Sequence, residues 1–300
     1  MIEAWRKFWF EADGRAQFRV FRALFGLLLF VAYFSRSQSL GFLFGEQGIA
    51  SQAAIQEMFS FRPCFYFHGL FSSPTSTWLA NGVLLGALFW VALAKRARIA
   101  AIVAYALHLS FMHRNPTVLY GVDFIASFYL FFLCLADDRP SGTLVPQDFR
   151  AQLGSLAFRL AQIQLCVIYG YAGVKKLKGI HWWSGEALWD ALANPMMARW
   201  DFSWMAKYPL IILGITYAVL AWEVYFPALI WNRRLRTPLL AFGAAMHLSI
   251  ALALNIPFFS AAMVSAYVFF IDPERLQRWL VAWDKLSLGS ALRGTIRLKA

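Results

Sequence analysis

The chain has 300 residues, of which 60% are hydrophobic, 18% aromatic and only 15% charged, with a mean hydropathy of +0.54. Soluble domains run near about 45–50% apolar and about 25% charged. Sixteen acids and 28 bases cannot cover a fold of this size, which excludes a soluble enzyme, a disulfide-rich secreted domain, a coiled coil and a disordered chain. The net charge of +12 falls between apolar runs. Membrane orientation therefore explains it better than nucleic acid, which is not expected as a partner.

A membrane span needs about 20 mostly apolar residues. In chain order the candidates are about 20–37, 77–94, 98–113, 119–136, 154–174, 209–231, 238–255 and 257–271. The expected fold is all-α: a polytopic transmembrane helix bundle of eight spans, because isolated strands cannot satisfy their backbone in lipid. The first run lacks an A-x-A cleavage pattern and is expected to stay as a helix. Residues 46–76, with Pro63 and Pro74, and residues 180–206, with Trp182, Trp183, Trp189, Trp200 and Trp204, read as interfacial or re-entrant stretches. Residues 1–271 thus form a transmembrane domain, and 272–300 a basic amphipathic tail on the membrane surface. Cys64, Cys134 and Cys166 have no metal-type spacing.

Counting Lys and Arg between spans gives 20 on the side of the termini and eight on the other, so both termini are expected in the cytoplasm. The eight outward bases are Arg36, Arg62, Arg114, Lys175, Lys176, Lys178, Arg199 and Lys207. Five of them fall in one connection, and three within Lys175-Lys176-Leu177-Lys178, against the topology signal. They either snorkel to outer headgroups, or serve an anionic ligand or a lysine tuned as a base by burial and a cationic neighbour. Gly170 and Gly173 precede them and would permit close helix approach.

Other ionisable groups lie at membrane depth: Glu223 and His247 in mid-span, His108 in the third candidate helix and Asp123 near the outer end of the fourth. Such groups cost roughly 2.5–3.5 kcal/mol on insertion scales and are functional candidates, with interhelical hydrogen bonding as the alternative. Gln162 and Gln164 read as structural glue. His68, His113 and His181 form no metal signature, and no metal is expected. Haem ligation by His108 and His247 stays open on residue type alone. No P-loop, G-x-G-x-x-G or nucleophile elbow occurs.

The stretch Ile168-Tyr169-Gly170-Tyr171-Ala172-Gly173-Val174-Lys175-Lys176-Leu177, followed by Trp183-Ser184-Gly185-Glu186-Ala187-Leu188, resembles the vitamin K-dependent gamma-carboxylase family. More broadly it resembles the HTTM membrane domain that this family shares with many bacterial proteins. Leu119-Tyr120-Gly121, Glu223 and His247 are supporting matches. The resemblance implies that Lys176 is a general base, with Lys175 beside it, acting on reduced vitamin K or menaquinone near the outer face of the membrane. The quinol anion would react with O₂ to give a strong alkoxide base. That base would deprotonate a C–H acid such as a glutamate side chain, to which CO₂ adds. His247 is expected to donate to a quinone oxygen and Glu223 to orient the group. Asn115, Tyr120 and Trp183 are expected in the quinone-binding or supporting shell.

The family has an Asn-His pair just before its Leu-Tyr-Gly, whereas here Asn115 is followed by Pro116, so that histidine is absent unless His113 substitutes. A luminal propeptide-binding domain is not expected within 300 residues. A different substrate, or a separate soluble partner that presents a peptide or protein, is expected instead. The expected location is the bacterial inner membrane. The competing expectations are a non-enzymatic accessory role in peptide maturation or export, and a haem- or quinone-binding electron-transfer protein.

Overall fold

The computed structural model describes residues 1–46, 48–58, 67–94, 96–140 and 148–278. Arg62, Pro63, Cys64, Lys95 and most of the expected tail helix lie outside the described residues.

The protein is an all-α helical bundle. Its helices in chain order are α1 (Ile2–Phe10), α2 (Arg15–Ser37), α3 (Leu40–Phe44), α4 (Gln52–Met58), α5 (Pro74–Leu93), α6 (Arg98–Arg114), α7 (Gly121–Leu135), α8 (Phe149–Lys176), α9 (Ile180–Trp183), α10 (Ala187–Ala193), α11 (Pro209–Leu229), α12 (Arg233–Ala253) and α13 (Pro257–Ala266). A 3-10 turn extends α13 to Phe270. Each apolar run expected to span is a helix, with its ends set by local chemistry. Ser73 caps α5 by accepting from the Ser76 amide at 3.2 Å, and Pro74 occupies the first turn. Asp148 caps α8 by accepting from the Ala151 amide at 2.9 Å. Lys175 and Lys176 close α8 at the end where the helix dipole favours cations.

Five helices, α2, α5, α8, α11 and α12, are long and apolar enough to cross a membrane. Helix α7 and the α13 segment are apolar but shorter. With large apolar side chains such as Leu79, Phe89, Leu210 and Leu248 facing outward, the chain is an integral membrane protein.

Helix α2 packs on α5 and α13, α6 fills the space between α5 and α7, and α8 packs on α11, α7 and α1. The central contacts are aromatic. Phe21 lies 4.8 Å from Phe25 and 4.7 Å from Phe269, and Phe269 stacks on Tyr129 at 5.9 Å. Helix α12 is peripheral. It rests mainly on α13, and Gly243 and His247 are its only fully buried residues among those described.

Cross-links at the two ends show the up-and-down path. At one end the Ala12 amide donates to Ser155, Arg22 to the Val91 carbonyl and Arg98 to the Cys134 carbonyl. At the other end the close of α2 meets the start of α7, and the 194–199 loop pairs with the close of α12 through Arg199 and Asn255. Gln162 donates to the Phe269 carbonyl at 2.8 Å and accepts from Arg159, which is the glue role expected of it.

Candidate functional site

The last turn of α8 and the middle of α11 meet at Gly173. A Cβ there would stand 2.9 Å from the Val224 amide nitrogen and 3.1 Å from the Glu223 carbonyl carbon. Only glycine lets the two backbones come this close. The close approach has a consequence one turn along α8, where the Lys176 ammonium donates to the Glu223 carboxylate. Glu223 is 7% exposed and Lys176 23%. The pair is thus sealed on the carboxylate side and open on the ammonium side. The indole of Trp182 lies over the ammonium, 5.0 Å from ring centre to Nζ.

Tyr169, Gly173 and Lys176 share one face of α8, at the i, i+4, i+7 spacing of a helix. Tyr169 therefore sits two turns deeper, below the ion pair. Its hydroxyl bonds both to His247 Nε2 and to the Tyr267 hydroxyl, each at 2.7 Å. Trp222 and Phe226 press edge-on against the Tyr169 ring at 4.6 and 4.7 Å. Trp222 also donates to the Leu239 carbonyl of α12 at 3.1 Å. Gly243 of α12 faces the Tyr267 hydroxyl and the Trp222 ring so tightly that a Cβ would clash with both. His247, one turn beyond Gly243, is thereby pressed into the bundle. Its Nδ1 is buried and has no hydrogen-bond partner among the described residues.

A second polar centre lies at the same end, between α2, α6 and α7. The Arg36 guanidinium grips Asp123 with two bonds of 2.7 and 2.8 Å. The ring of Tyr120 lies 5.5 Å from the guanidinium carbon. Asp123 Oδ2 in turn accepts from the Tyr120 amide and so caps α7. His108 bonds through Nδ1 to the Tyr33 hydroxyl at 2.8 Å and through Nε2 to the Asp123 carbonyl at 3.0 Å. Arg114 is fully buried and donates to the carbonyls of Gly45 and Ala50. The two centres adjoin at Phe259, whose ring lies against Gly121 and 5.8 Å from the His247 ring.

The expected site residues divide between these centres. Lys176, Glu223 and His247 come together. Lys175 does not join them. Consecutive helix positions diverge by about 100°, so Lys175 points outward and packs on Tyr171, 5.5 Å from its ring centre. The cationic neighbour expected beside Lys176 is absent from that place, and a carboxylate is there instead. Trp183 does not join them either. It is exposed and donates to the Leu177 carbonyl at 2.7 Å, closing the turn after α8, while Trp182 covers the lysine. Asn115 is buried in a structural role. Its Nδ2 donates to the Leu43 carbonyl at 2.6 Å and its Oδ1 accepts from Thr117. Tyr120 belongs to the Arg36–Asp123 centre. Both ring nitrogens of His108 are engaged, so a metal there would have to displace a hydrogen bond.

Tyr169, Tyr267 and Trp182 were not singled out as site residues from sequence. For Tyr169 the helical spacing to Gly173 and Lys176 carried a signal. For Tyr267, one of 11 tyrosines, there was none. Fold and site together define an integral membrane protein with a half-buried ion pair and a histidine–tyrosine chain at one end of its bundle. No protein-family model, curated protein or solved structure matches the chain.

Proposed function

We propose that the protein is an integral-membrane enzyme of the gamma-carboxylase-like class, coupling oxidation of a quinol by O₂ to deprotonation of a C–H acid. The observation that carries this reading is the Lys176–Glu223 pair, sealed on the carboxylate side, with the Trp182 indole over its ammonium and, bonded to Tyr169 below it, a histidine whose Nδ1 has no partner among the described residues. A substrate oxygen brought to the open side of the pair would meet a base there.

The residues present fit reduced vitamin K or menaquinone. Trp182 and Phe259 offer faces for an aromatic ring, and His247 Nδ1 offers a polar contact. When bound, the quinol would supply, on oxidation by O₂, a base far stronger than any side chain. The protein's part is to take the first proton. Lys176 does so as the free amine once its own proton has passed along the hydrogen bond to Glu223. The pair gains one proton and one positive charge in total, and the regained ammonium lies opposite the new negative charge on the ligand. The proton affinity belongs to the pair and not to the lysine alone. CO₂ would be the partner of the resulting carbanion if the C–H acid is a glutamate side chain.

In this reading the bundle crosses the bilayer eight times, with both termini in the cytoplasm of a bacterium and the site near the outer face of the inner membrane. The excess of Lys and Arg on the side of the termini supports that orientation. A second reading, docking of an acidic peptide or a soluble partner protein for maturation or export, is favoured by the outward exposure of Lys175 and Lys178. Full-length protein in lipid nanodiscs, supplied with reduced menaquinone or vitamin K and O₂, tests the choice. Epoxide formed by wild type and lost in Lys176→Ala supports the enzyme. Folded, quinol-binding wild type that forms no epoxide sinks it and leaves the docking role.

A further inference from the structure

The hydrogen bonds around Tyr169 have a direction. A tyrosine hydroxyl has one proton, and the Tyr169 hydroxyl lies between two partners. If Tyr267 donates to Tyr169 and Tyr169 donates to His247 Nε2, every hydroxyl proton has an acceptor. His247 then carries its own proton on Nδ1. If the chain runs the other way, Nε2 donates to Tyr169 and Tyr169 to Tyr267. The Tyr267 proton is then left without an acceptor among the described residues, and Nδ1 becomes a second orphan, a bare lone pair. The first arrangement leaves one buried group unsatisfied and the second leaves two. Each such group is costly, because burial removes its water without replacing the hydrogen bond.

We infer that Tyr169 is a positioning residue that fixes His247 as its Nδ1–H tautomer, with Tyr267 holding the Tyr169 hydroxyl. The group that His247 presents is therefore a donor, and the atom it takes is an acceptor oxygen: a quinone carbonyl, or a ring oxygen that has lost or turned away its proton. Gly243 serves the same end, because any side chain there would displace the Tyr267 hydroxyl. The identity of the ligand rests on the function proposed above, but the tautomer does not.

Nitrogen NMR of full-length protein, ¹⁵N-labelled at histidine, in nanodiscs without ligand tests this. The His247 signals are assigned by their disappearance in His247→Gln. The expected wild-type spectrum has a protonated-type shift on Nδ1 and an unprotonated-type shift on Nε2. Tyr169→Phe should lose that pattern and move toward the Nε2–H form that the free histidine side chain favours. A wild-type Nε2–H signal overturns the inference without any variant, so a poorly folding Tyr169→Phe does not protect it. An unchanged Nδ1–H pattern in well-folded Tyr169→Phe also overturns the role of Tyr169. Added menadione, which has two carbonyl acceptors and no donor, should shift the Nδ1–H resonance. If the tautomer is as expected and menadione shifts nothing, the quinone reading fails and the tautomer stands.

Discussion

The charged ends of Lys176 and Glu223 meet across the seam of α8 and α11, although they are 47 positions apart in sequence. Removing one partner of a buried pair costs about 3–5 kcal/mol, whereas removing both costs much less. The two losses are unequal here. Without Glu223 the lysine, already partly exposed, can extend toward the interface. Without Lys176 the nearly sealed carboxylate has no counter-charge. Lys176→Met is therefore expected to lower the thermal midpoint in detergent more than Glu223→Gln does. The double variant should recover at least half of the Lys176→Met loss. Additive losses in that cycle would show that the pair is not coupled.

Gly173 sets the distance that the pair needs. A methyl group at this position meets the α11 backbone, which cannot turn aside as a side chain could. Gly173→Ala should cost about 1–3 kcal/mol by overpacking and should also reduce any quinol oxidation. Gly82 faces open space on α5, so Gly82→Ala should be neutral or gain up to about 1 kcal/mol from helix propensity. Thermal melts of the two variants side by side distinguish close packing from a general glycine effect.

Arg36 grips Asp123 with a two-pronged contact that lysine cannot copy. Arg36→Lys should lose much of the stability that Arg36→Ala loses, on the order of 2–4 kcal/mol for the latter. The loss should appear as faster hydrogen exchange in the first turn of α7, where Asp123 caps the helix. Protection retained there in Arg36→Ala would mean that the cap holds by itself.

Asp148 lies outside the membrane-spanning segments, at the start of α8. Its hydrogen bonds from Arg139 and from the Ala151 amide hold its carboxyl below the ordinary value of 3.8. A lowered folded-state value contributes stability that is complete above about pH 3.8 and is lost as pH falls through the lowered value. Asp148→Asn keeps a capping oxygen but does not titrate. Its melting curve should therefore differ from that of wild type at pH 7 and converge with it as the pH drops below 3.8. A difference that stays constant across that range would exclude Asp148 as the titrating group.

Hydropathy made the helices legible, because a segment that must face lipid shows it in every residue. Glu223 and His247 were legible for the same reason: a charged or titratable group stands out in an apolar run. The pairings between helices were less so. Arg36 and Asp123 are 87 positions apart, and no periodicity links two different helices. Lys175 and Trp183 stand apart from the Lys176–Glu223 pair because adjacency in sequence means divergence on a helix, so the neighbour of a site residue often points away from it. Asn115 caps a turn, and in sequence a buried amide that does so looks like one that holds a ligand.

Helix α12 contributes His247 yet has only 11% of its apolar stretch buried. Its far side, with Leu248 and Leu252 exposed, faces the hydrocarbon. Between the acyl chains and the imidazole there is therefore a wall one helix thick, braced by α13 and by the Trp222 indole.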